Sequence, residues 1–232
     1  MTSLALLQKE VSECRLCPRL VRWREHVASE KRAAFRNHVY WGKPVPSFGD
    51  PAARLLLVGL APAAHGGNRT GRVFTGDRSG DWLYAALYRA GFANQATSTH
   101  VGDGLKLRDA YITACVRCAP PDNKPTILER DACLAYLAQE LRLLPHVQVI
   151  LCLGGFAWTG VRRVLVAESG EPARTKSAAS ALRSKFGHGA ICVIGRYTLL
   201  GCYHPSQQNT FTGRLTEAML DQAFCQAKKL LR

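Results

Sequence analysis

Residues 54–60 read RLLLVGL, and residues 79–92, after a loop rich in glycine and proline, read SGDWLYAALYRAGF. The first run is short and continuously apolar, as expected of a strand that is buried on both faces. In the second run, apolar residues recur on one face at helical spacing until Gly91 ends the pattern. This part of the chain therefore predicts a strand, a loop and a helix in that order.

The same order recurs three times further along the chain. Apolar runs that we predict as strands lie at residues 109–116, 147–153 and 197–203. Helical patterns follow them at residues 126–143, 156–167 and 212–231. Thr126 and Glu129 have the spacing of a capping box, which marks the start of the first of these helices. Strands that alternate with helices predict the α/β class, here a three-layer α/β/α sandwich with a central, mostly parallel four-stranded sheet.

Two segments do not follow this order. Residues 36–53 contain Trp41 and several glycines and prolines, which favours a loop or a short hairpin. Residues 168–196 are rich in small residues and carry four basic ones: Arg174, Lys176, Arg183 and Lys185. The sequence leaves two interpretations of this second segment open, a solvated linker and a loop that contacts DNA.

Composition limits the class of protein. The chain has 232 residues, of which 47% are hydrophobic, so it can bury a sizeable core and is not fully disordered. Its 31 Lys and Arg residues outnumber its 17 Asp and Glu residues, which gives a formal charge of +14. A charge this high favours a polyanionic partner, most simply nucleic acid, although an anionic membrane surface or solubility alone also fits it.

The sequence contains no segment that we expect to enter a membrane. Its apolar runs are far shorter than the roughly 20 residues that cross a bilayer. The first residues, MTSLALLQKEVSE, lack the basic n-region and the small-residue cleavage site of a signal peptide. We therefore expect an intracellular protein whose thiols stay reduced, so its nine cysteines need an explanation other than disulfides.

Four of the nine cysteines have the spacing of a metal site. Cys14 and Cys17 form a C-x2-C pair, and Cys118 and Cys133 form a second pair, so their four thiolates could bind zinc or an iron–sulfur cluster. Cys115 and Cys118 also have C-x2-C spacing. Because these two positions face opposite sides of a continuing strand, only the one nearer the loop should reach a metal. Spacing alone does not choose between zinc and iron–sulfur.

The remaining cysteines are expected in the core. Cys152, Cys192 and Cys202 lie in or beside apolar runs, where a buried free thiol is the common case. Cys225 lies on the last predicted helix, and we expect it to be buried as well.

Polar and aromatic side chains follow three of the predicted strands. In an open parallel sheet the ligand binds at the carboxyl ends of the strands, so the loops after them should meet at one site. The first loop, GLAPAAHGGNRTGRVFTGD (59–77), contains Phe74, which could stack on a flat ring or simply anchor the loop. Asn123 lies in the proline-rich loop after the second strand, and His204 follows the fourth. No phosphate-binding glycine motif is present in the sequence, which disfavours an ATPase or a dehydrogenase.

The motifs of these loops resemble those of the uracil-DNA glycosylase superfamily, and most closely those of its family-5 enzymes. The segments that carry the resemblance are GLAPA (59–63), TGRVFTG (70–76), RCAPPDNKPT (117–126), FGHG (186–189), HPSQ (204–207) and NTFTGRLT (209–216). The likeness runs from the first cysteine pair to the last helix, so it implies one uracil-DNA glycosylase-like domain over residues 1–232. It also implies a 4Fe–4S cluster that is held by Cys14, Cys17, Cys118 and Cys133, with Cys115 outside it.

The resemblance implies a monofunctional DNA glycosylase of base excision repair. Such an enzyme flips uracil, and other deaminated bases such as hypoxanthine, out of DNA and hydrolyses the N-glycosidic bond, which leaves an abasic site. We expect a monomer that acts on uracil-containing DNA in the cytoplasm, at the nucleoid. The alternatives are a non-catalytic iron–sulfur DNA-binding module of the same fold and a zinc-bound nucleic-acid factor.

The resemblance also assigns roles to individual residues. Those expected in catalysis are Asp77, Asn123 and His204. Those expected to bind the substrate are Gly59, Ala61, Ala63, Phe74, Asn123 and His204. In these roles Phe74 stacks on the flipped base, and His204 hydrogen-bonds the base as it departs. Those expected to contact DNA are Ser206, Gln207 and Gln208, and the two glutamines are candidates to enter the duplex.

Four positions depart from related families. Where family-4 enzymes have Glu and Asn, this chain has Leu60 and Ala114, and where other members have a water-activating Asp or Asn it has Ala63 and Ala64. Asp77 is the nearest carboxylate in the loop and matches the Asp that is assigned this work in family 5. We therefore expect it to orient the water or to stabilise the sugar cation. The loss of an Asn that reads uracil predicts a tolerant pocket.

Overall fold

The computed structural model describes residues 3–169 and 181–231, which form a mixed sheet with helices packed on both faces. The predicted α/β sandwich is therefore confirmed. Its strands are β1 (Phe48–Gly49), β2 (Leu55–Gly59), β3 (Ala110–Ala114), β4 (Val149–Leu153), β5 (Ile191–Ile194) and β6 (Tyr197–Cys202). Its helices include α1 (Leu4–Glu13), α2 (Pro18–Glu30), α3 (Gly67–Thr70), α4 (Arg78–Arg89), α5 (Ile127–Leu143), α6 (Gly155–Glu168), α7 (Gln207–Phe211) and α8 (Glu217–Leu230).

Within the described residues the sheet has six strands, in the order β1–β3–β2–β4–β6–β5. The four inner strands are parallel to one another, and each edge strand is antiparallel to its neighbour. The inner strands are the four that the apolar runs predict. The predicted number of strands is thus too low, because both edge strands are missing from it.

The two edge strands are not predicted from the apolar runs, for different reasons. β1 has only two residues, and it lies in the segment 36–53 that we predict as a loop or short hairpin. β5 forms a hairpin with β6 through Gly195 and Arg196, and its side chains alternate between exposed and buried. Gly195 has a φ of +56°, so the two-residue turn uses the left-handed region that glycine reaches readily. A glycine turn between two apolar runs is a hairpin signal, but here it lies inside the basic segment 168–196.

Of the basic residues in that segment, Arg174 and Lys176 lie outside the described residues. Arg183 and Lys185 are exposed. The two interpretations of the segment therefore both stand.

The helix starts agree with the capping signals, with one exception. Thr126 and Glu129 form the predicted capping box at the start of α5. The predicted C-terminal helix over 212–231 is wrong at its start, because α8 begins only at Glu217, after its cap Thr216. The residues before it form the separate short helix α7, and Gly213, with a φ of +70°, breaks the two apart. The helices α1 and α2, which are not predicted from the sequence, flank the first cysteine pair.

The core lies in two layers, one on each face of the sheet. On β2, Leu55 and Leu57 face the layer formed with α4 and α8, whereas Leu56 and Val58 face the layer formed with α5 and α6. All four side chains are fully buried, which explains why this run is continuously apolar. None of the described helices combines the length and hydropathy that a bilayer crossing needs.

Candidate active site and cysteine pocket

The inner strands β3, β2, β4 and β6 end side by side, so the loops that follow them share one edge of the sheet. The loop after β2 carries Phe74 and Asp77. The loop after β3 carries Asn123, and the segment after β6 begins with Tyr203 and His204. The convergence that the strand pattern predicts is thus a feature of this topology.

Phe74 has an unusual backbone conformation at this edge. Its φ is +51°, in the left-handed region, and its side chain is 9% exposed. Two glycines make room for it: a Cβ on Gly59 would lie 2.8 Å from its Cζ, and a Cβ on Gly80 would lie 1.9 Å from its carbonyl oxygen. The ring therefore lies directly against the end of β2. Strained backbone of this kind is concentrated at functional positions.

The imidazole of His204 lies next to the Phe74 ring, with the centroids 5.7 Å apart and the planes tilted by 35°. Burial lowers the pKa of His204 to about 4, so the imidazole is neutral at pH 7. The main-chain carbonyl of His204 accepts a hydrogen bond of 2.9 Å from Asn209 Nδ2, which connects the end of β6 to α7. A neutral imidazole has one N–H, so it can donate a hydrogen bond to a base. The structure thus brings these two predicted site residues together.

Asp77 has a structural role beside its predicted catalytic one. Its Oδ1 accepts a hydrogen bond of 3.0 Å from the backbone N–H of Gly80, which makes it the N-cap of α4. Its Oδ2 lies against Gly66, where a Cβ would come within 1.8 Å of it. Burial raises the pKa of the Asp77 carboxyl, and the hydrogen bond from Gly80 opposes that rise. Asp77 therefore caps α4 with one oxygen, and its other oxygen lies against Gly66.

Asn123 and the alanines after β2 are placed differently from the Phe74–His204 pair. Asn123 is exposed at the end of the 3-10 turn Pro121–Asn123, with a φ of +56°. Among the described residues, no hydrogen bond or ring contact links it to Phe74, Asp77 or His204. Ala61 and Ala63 are half-buried in the loop after β2, where the Ala63 carbonyl accepts backbone hydrogen bonds from the next turn.

The residues predicted to contact DNA lie on the segment after β6. Gln207 and Gln208 are exposed in the first turn of α7. Ser206 is the N-cap of this helix, and its hydroxyl accepts a hydrogen bond of 3.4 Å from the Asn209 N–H. The two glutamine side chains are therefore available at the surface, whereas the serine hydroxyl is already used in the fold.

An exposed aromatic that the sequence analysis did not select lies on the same segment. Phe211, at the end of α7, is 69% exposed, and the guanidinium of Arg78 lies 5.6 Å from its ring centroid. Arg78 directly follows Asp77, so this pair lies beside the candidate active site. Hydrophobic exposure of this size is the signal that a sequence alone cannot provide.

A buried arginine that the sequence analysis also missed holds the loop between β2 and α4. The Arg72 side chain is 4% exposed and donates hydrogen bonds to Thr75 and Ser98, each of 2.9 Å. It also pairs with Asp103 at 2.6 Å. Because Phe74 lies between two residues of this network, the network fixes the backbone that carries the ring. A charged residue inside the glycine-rich TGRVFTG run was the available signal.

The four cysteines that are predicted to hold a cluster line one pocket. Cys14 and Cys17 lie between α1 and α2, Cys118 follows β3, and Cys133 is on α5. In the part of the chain that the structure describes, no three His, Cys, Asp or Glu side chains are grouped as ligands of a single metal ion.

The sulfur atoms of this pocket accept hydrogen bonds. Cys118 Sγ accepts one of 2.9 Å from Arg24 Nη1, and Cys133 Sγ accepts one of 3.3 Å from the backbone N–H of Arg117. Burial raises the pKa of Cys118 to about 11 and that of Cys133 to about 12, so both are thiols at pH 7 unless a metal is bound. Four cysteines around one pocket, two of them with hydrogen-bond donors to their sulfurs, are ligands that zinc or an iron–sulfur cluster could use.

A buried ion pair supports the loop that carries Cys118. The Arg117 side chain is 1% exposed, and its Nη2 lies 2.5 Å from Oε2 of Glu140 on α5. Ser47 and Thr113 complete this network: both hydroxyls donate hydrogen bonds to Glu140, and Ser47 Oγ accepts one from Arg117 Nη1. The network connects β3, α5 and the segment before β1 beneath the cysteine pocket.

The other cysteines lie elsewhere. Cys115 is buried in the core, where its Sγ faces Gly160 of α6. Cys152, Cys192 and Cys202 are buried, which confirms that prediction. The prediction for Cys225 is wrong, because it is exposed on α8: the neighbouring Phe224 and the residues at helical spacing from it occupy the buried face.

Comparison with known proteins defines the class to which this fold and site belong. Residues 46–228 match the family model that is described as the Uracil DNA glycosylase superfamily, and the chain belongs to this superfamily. The chain is 54% identical to the type-5 uracil-DNA glycosylase of Mycobacterium leprae, over 98% of this chain and 96% of that protein. It is 51% identical to the type-5 uracil-DNA glycosylase of Thermus thermophilus (95% and 94% covered) and 40% identical to that of Pyrobaculum aerophilum (92% and 87% covered). Within the superfamily, the chain is therefore a member of the type-5 uracil-DNA glycosylases, which confirms the resemblance seen in its motifs.

Proposed function

We propose that this protein hydrolyses the N-glycosidic bond of uracil in DNA and leaves an abasic site for base excision repair. The observation that carries the proposal is the pairing of Phe74 with His204 at the carboxyl edge of the sheet, 5.7 Å apart between ring centroids. A flipped base can stack on the Phe74 ring while the neighbouring imidazole reaches a carbonyl oxygen of the base. The relatives at 51–54% identity carry the name of this activity.

The reaction breaks the bond between C1′ of the deoxyribose and N1 of uracil. The bonding electrons leave with the base, so negative charge develops on uracil and positive charge on the sugar. The neutral imidazole of His204 donates its N–H to the uracil oxygen on which this negative charge develops. Water adds its oxygen to C1′ and gives up a proton, and the uracil anion takes a proton as it leaves. Because water attacks C1′ directly, the reaction needs no covalent intermediate on a lysine.

Asp77 is the carboxylate of this site. A carboxylate near C1′ stabilises the developing sugar cation, and it can accept the proton of the attacking water. The oxygen that faces Gly66 would do this work, because the other oxygen caps α4. The helix cap thus fixes the orientation of the catalytic group.

The test is single-turnover conversion of a uracil-containing duplex to abasic product by excess protein. We expect wild type to release uracil, and the His204→Ala variant to bind the same duplex but to release uracil at least about tenfold more slowly, since one lost donor to a developing charge typically costs more than this. Intact duplex after incubation with wild type, with DNA binding retained, would contradict the proposal. That result would favour the non-catalytic iron–sulfur module.

We further propose that the pocket accepts other deaminated bases, hypoxanthine among them. Leu60 and Ala114, at the ends of β2 and β3, have no polar side chain with which to read the edge of uracil. Stacking on Phe74 does not depend on the identity of the base. Uracil and hypoxanthine in one sequence context should therefore both be excised, and strict preference for uracil would contradict this.

We also propose that Cys14, Cys17, Cys118 and Cys133 hold a 4Fe–4S cluster. When bound, it supplies a cross-link between the N-terminal helices, the loop after β3 and α5, and hydrolysis needs no electron from it. The hydrogen bonds to Cys118 and Cys133 support this assignment. Anaerobically purified protein should be brown and contain iron and sulfide, whereas colourless protein with one zinc per chain would contradict the proposal.

We infer that the enzyme is a monomer in the cytoplasm, at the nucleoid, where its DNA substrate lies. The pair Phe74 and His204 comes from one chain, so the site does not require a second copy. Light scattering should give the mass of one chain, and a stable dimer would contradict the monomer. Imaging of a fluorescent fusion in living cells should show it on the chromosome, and exclusion from the chromosome would contradict the location.

A further inference from the structure

Arg24, on α2, is a buried cation at the cysteine pocket. Its side chain is 2% exposed. Nη1 donates a hydrogen bond of 2.9 Å to Cys118 Sγ, and Nη1 and Nη2 each donate one of 3.2 Å to the Cys14 carbonyl. Among the residues that the structure describes, its Nε has no hydrogen-bond partner. The guanidinium is therefore buried against two of the four cluster cysteines.

No buried carboxylate in the described chain balances this charge. Glu25 is the carboxylate within ion-pair distance, at 3.8 Å, but its side chain is 44% exposed and it pairs with Arg15 at 2.5 Å. The second buried arginine of the pocket, Arg117, has its own partner in Glu140 at 2.5 Å. A buried charge whose only ion pair is long and reaches a half-exposed carboxylate is poorly compensated, so the position of Arg24 points to an anion in the pocket.

We propose that Arg24 is the counter-cation of an anionic metal–thiolate cluster in this pocket. This inference rests on the proposed 4Fe–4S cluster at the four cysteines. Four thiolates outweigh the positive charge of an iron–sulfur core, so the loaded pocket carries net negative charge. Arg24 is a positioning residue: it neutralises part of that charge, and through Cys14 and Cys118 it joins the end of α1 to the loop after β3.

This role predicts that one substitution has opposite effects in the two forms of the protein. With the cluster bound, Arg24→Met removes an attraction to the anion and destabilises the fold. Without the cluster, the same change replaces a buried charge, which has only the long ion pair with Glu25, by an apolar side chain of similar length, so it leaves stability unchanged or raises it. If Arg24 only connected α1 to the loop after β3, Arg24→Met would reduce the stability of the loaded and iron-free forms equally.

The experiment compares wild type, Arg24→Met, Arg24→Lys and the control Arg22→Met, which changes an exposed arginine on the same helix. Each protein is purified anaerobically with its iron, and part of it is then stripped with a chelator. For Arg24→Met we expect the melting temperature of the loaded form to fall by roughly 6–12 °C and that of the iron-free form not to fall. Arg24→Lys should fall between wild type and Arg24→Met, and the control should match wild type in both forms.

A second readout does not depend on the folding of the iron-free form. A chelator should bleach the cluster absorbance of Arg24→Met several-fold faster than that of Arg22→Met. The midpoint potential of Arg24→Met should be more negative, because the removed cation no longer stabilises the added electron. Equal bleaching rates and potentials, or equal destabilisation of loaded and iron-free protein, would overturn the proposal.

Uracil excision by the same preparations separates this inference from the proposed function. Wild-type protein that excises uracil but binds no iron would overturn the counter-cation role and leave the glycosylase intact. If wild-type protein binds iron but does not excise uracil, and the variants still show the expected differences in stability, the role of Arg24 is supported and the glycosylase activity is overturned.

Discussion

The ring centroids of Phe74 and His204 lie 5.7 Å apart, although Phe74 follows β2, His204 follows β6, and β4 lies between the two strands. The end of β2 contributes to this distance, because the Phe74 ring takes the space that a side chain at Gly59 would fill. Gly59 is therefore one of the residues that fix the position of the Phe74 ring. A change at that glycine should affect catalysis before it affects the fold.

Gly59→Ala is expected to slow uracil release with a moderate loss of stability. The new Cβ would lie 2.8 Å from Phe74 Cζ, so the ring must move, and overpacking of this kind costs about 1–3 kcal/mol. Because a displacement near 1 Å can cost on the order of 100-fold in rate, we expect a single-turnover rate at least about tenfold lower. The control is Gly102→Ala, whose Cβ would lie 3.6 Å from His100. Equal rates for the two variants would argue against a role for the ring position.

Asp77→Asn and Asp77→Ala should separate the two roles of this residue. Asn caps a helix about as well as Asp, so Asp77→Asn keeps α4 stable while it removes the charge. Asp77→Ala also loses the cap to Gly80, which costs about 1 kcal/mol. We expect both variants to release uracil slowly in single turnover, and only the alanine to unfold at lower denaturant concentration.

A second helix cap provides the matched control for this comparison. Thr216 caps α8 by accepting a hydrogen bond of 3.2 Å from the Met219 N–H. Thr216→Ala should lose about as much stability as Asp77→Ala but keep the wild-type rate. A wild-type rate in Asp77→Asn would mean that the carboxylate serves only as a cap.

The low pKa of His204 makes a prediction about acid stability. The side chain titrates at about 4 in the folded protein and near 6.5 in the unfolded chain. The unfolded state therefore binds the proton first, so this contribution to stability is present above about pH 6.5 and is lost as the pH falls toward 4. Denaturant unfolding between pH 4.5 and 8 should show this loss, and it should be smaller in His204→Asn.

The same pKa predicts the pH profile of the reaction. Since the imidazole stays neutral, titration of His204 should cause no change in the single-turnover rate between pH 8 and pH 6. Burial raises the pKa of Asp77, so protonation of this carboxylate should lower the single-turnover rate at lower pH. Asp77→Asn should remove this part of the pH dependence. A transition near pH 6.5 that disappears in His204→Asn would contradict this account.

The apolar runs predicted the inner strands because burial on both faces requires continuous apolar sequence, as at Leu55–Gly59. The motifs of the loops then predicted Phe74 and His204 as neighbours, because parallel strands end at one edge. Two buried arginines could not be predicted in the same way. The sequence around Arg24 and Arg117 suggests surface charges, since the groups that bury them come from distant parts of the chain. Cys225 is the opposite case, a residue predicted to be buried that is exposed. It lies next to the apolar face of its helix and not on it.

Glu140→Gln should be among the most destabilising single changes on the carboxylates of this protein. It leaves the Arg117 guanidinium, 1% exposed, without its carboxylate, and breaking a buried pair costs about 3–5 kcal/mol. The control is Glu168→Gln, which breaks the pair with Arg142, a side chain that is 64% exposed. Loss of this exposed pair should cost at most about 1 kcal/mol of stability. Denaturant unfolding of the iron-loaded proteins gives both values. Similar losses in the two variants would show that burial does not set the strength of the Arg117 pair.

The surface beside the site should bind DNA through charge and through uncharged contacts, which salt can distinguish. Each phosphate that a cation neutralises contributes a slope of about −0.9 to the dependence of log affinity on log salt. Arg78 is exposed next to Asp77, and Gln207 and Gln208 are exposed on α7. Arg78→Ala should therefore reduce the magnitude of the slope by about 0.9. Gln207→Ala and Gln208→Ala should weaken binding but leave the slope unchanged. Fluorescence anisotropy with a uracil-containing duplex measures both quantities, and an unchanged slope in Arg78→Ala would place the DNA backbone away from this arginine.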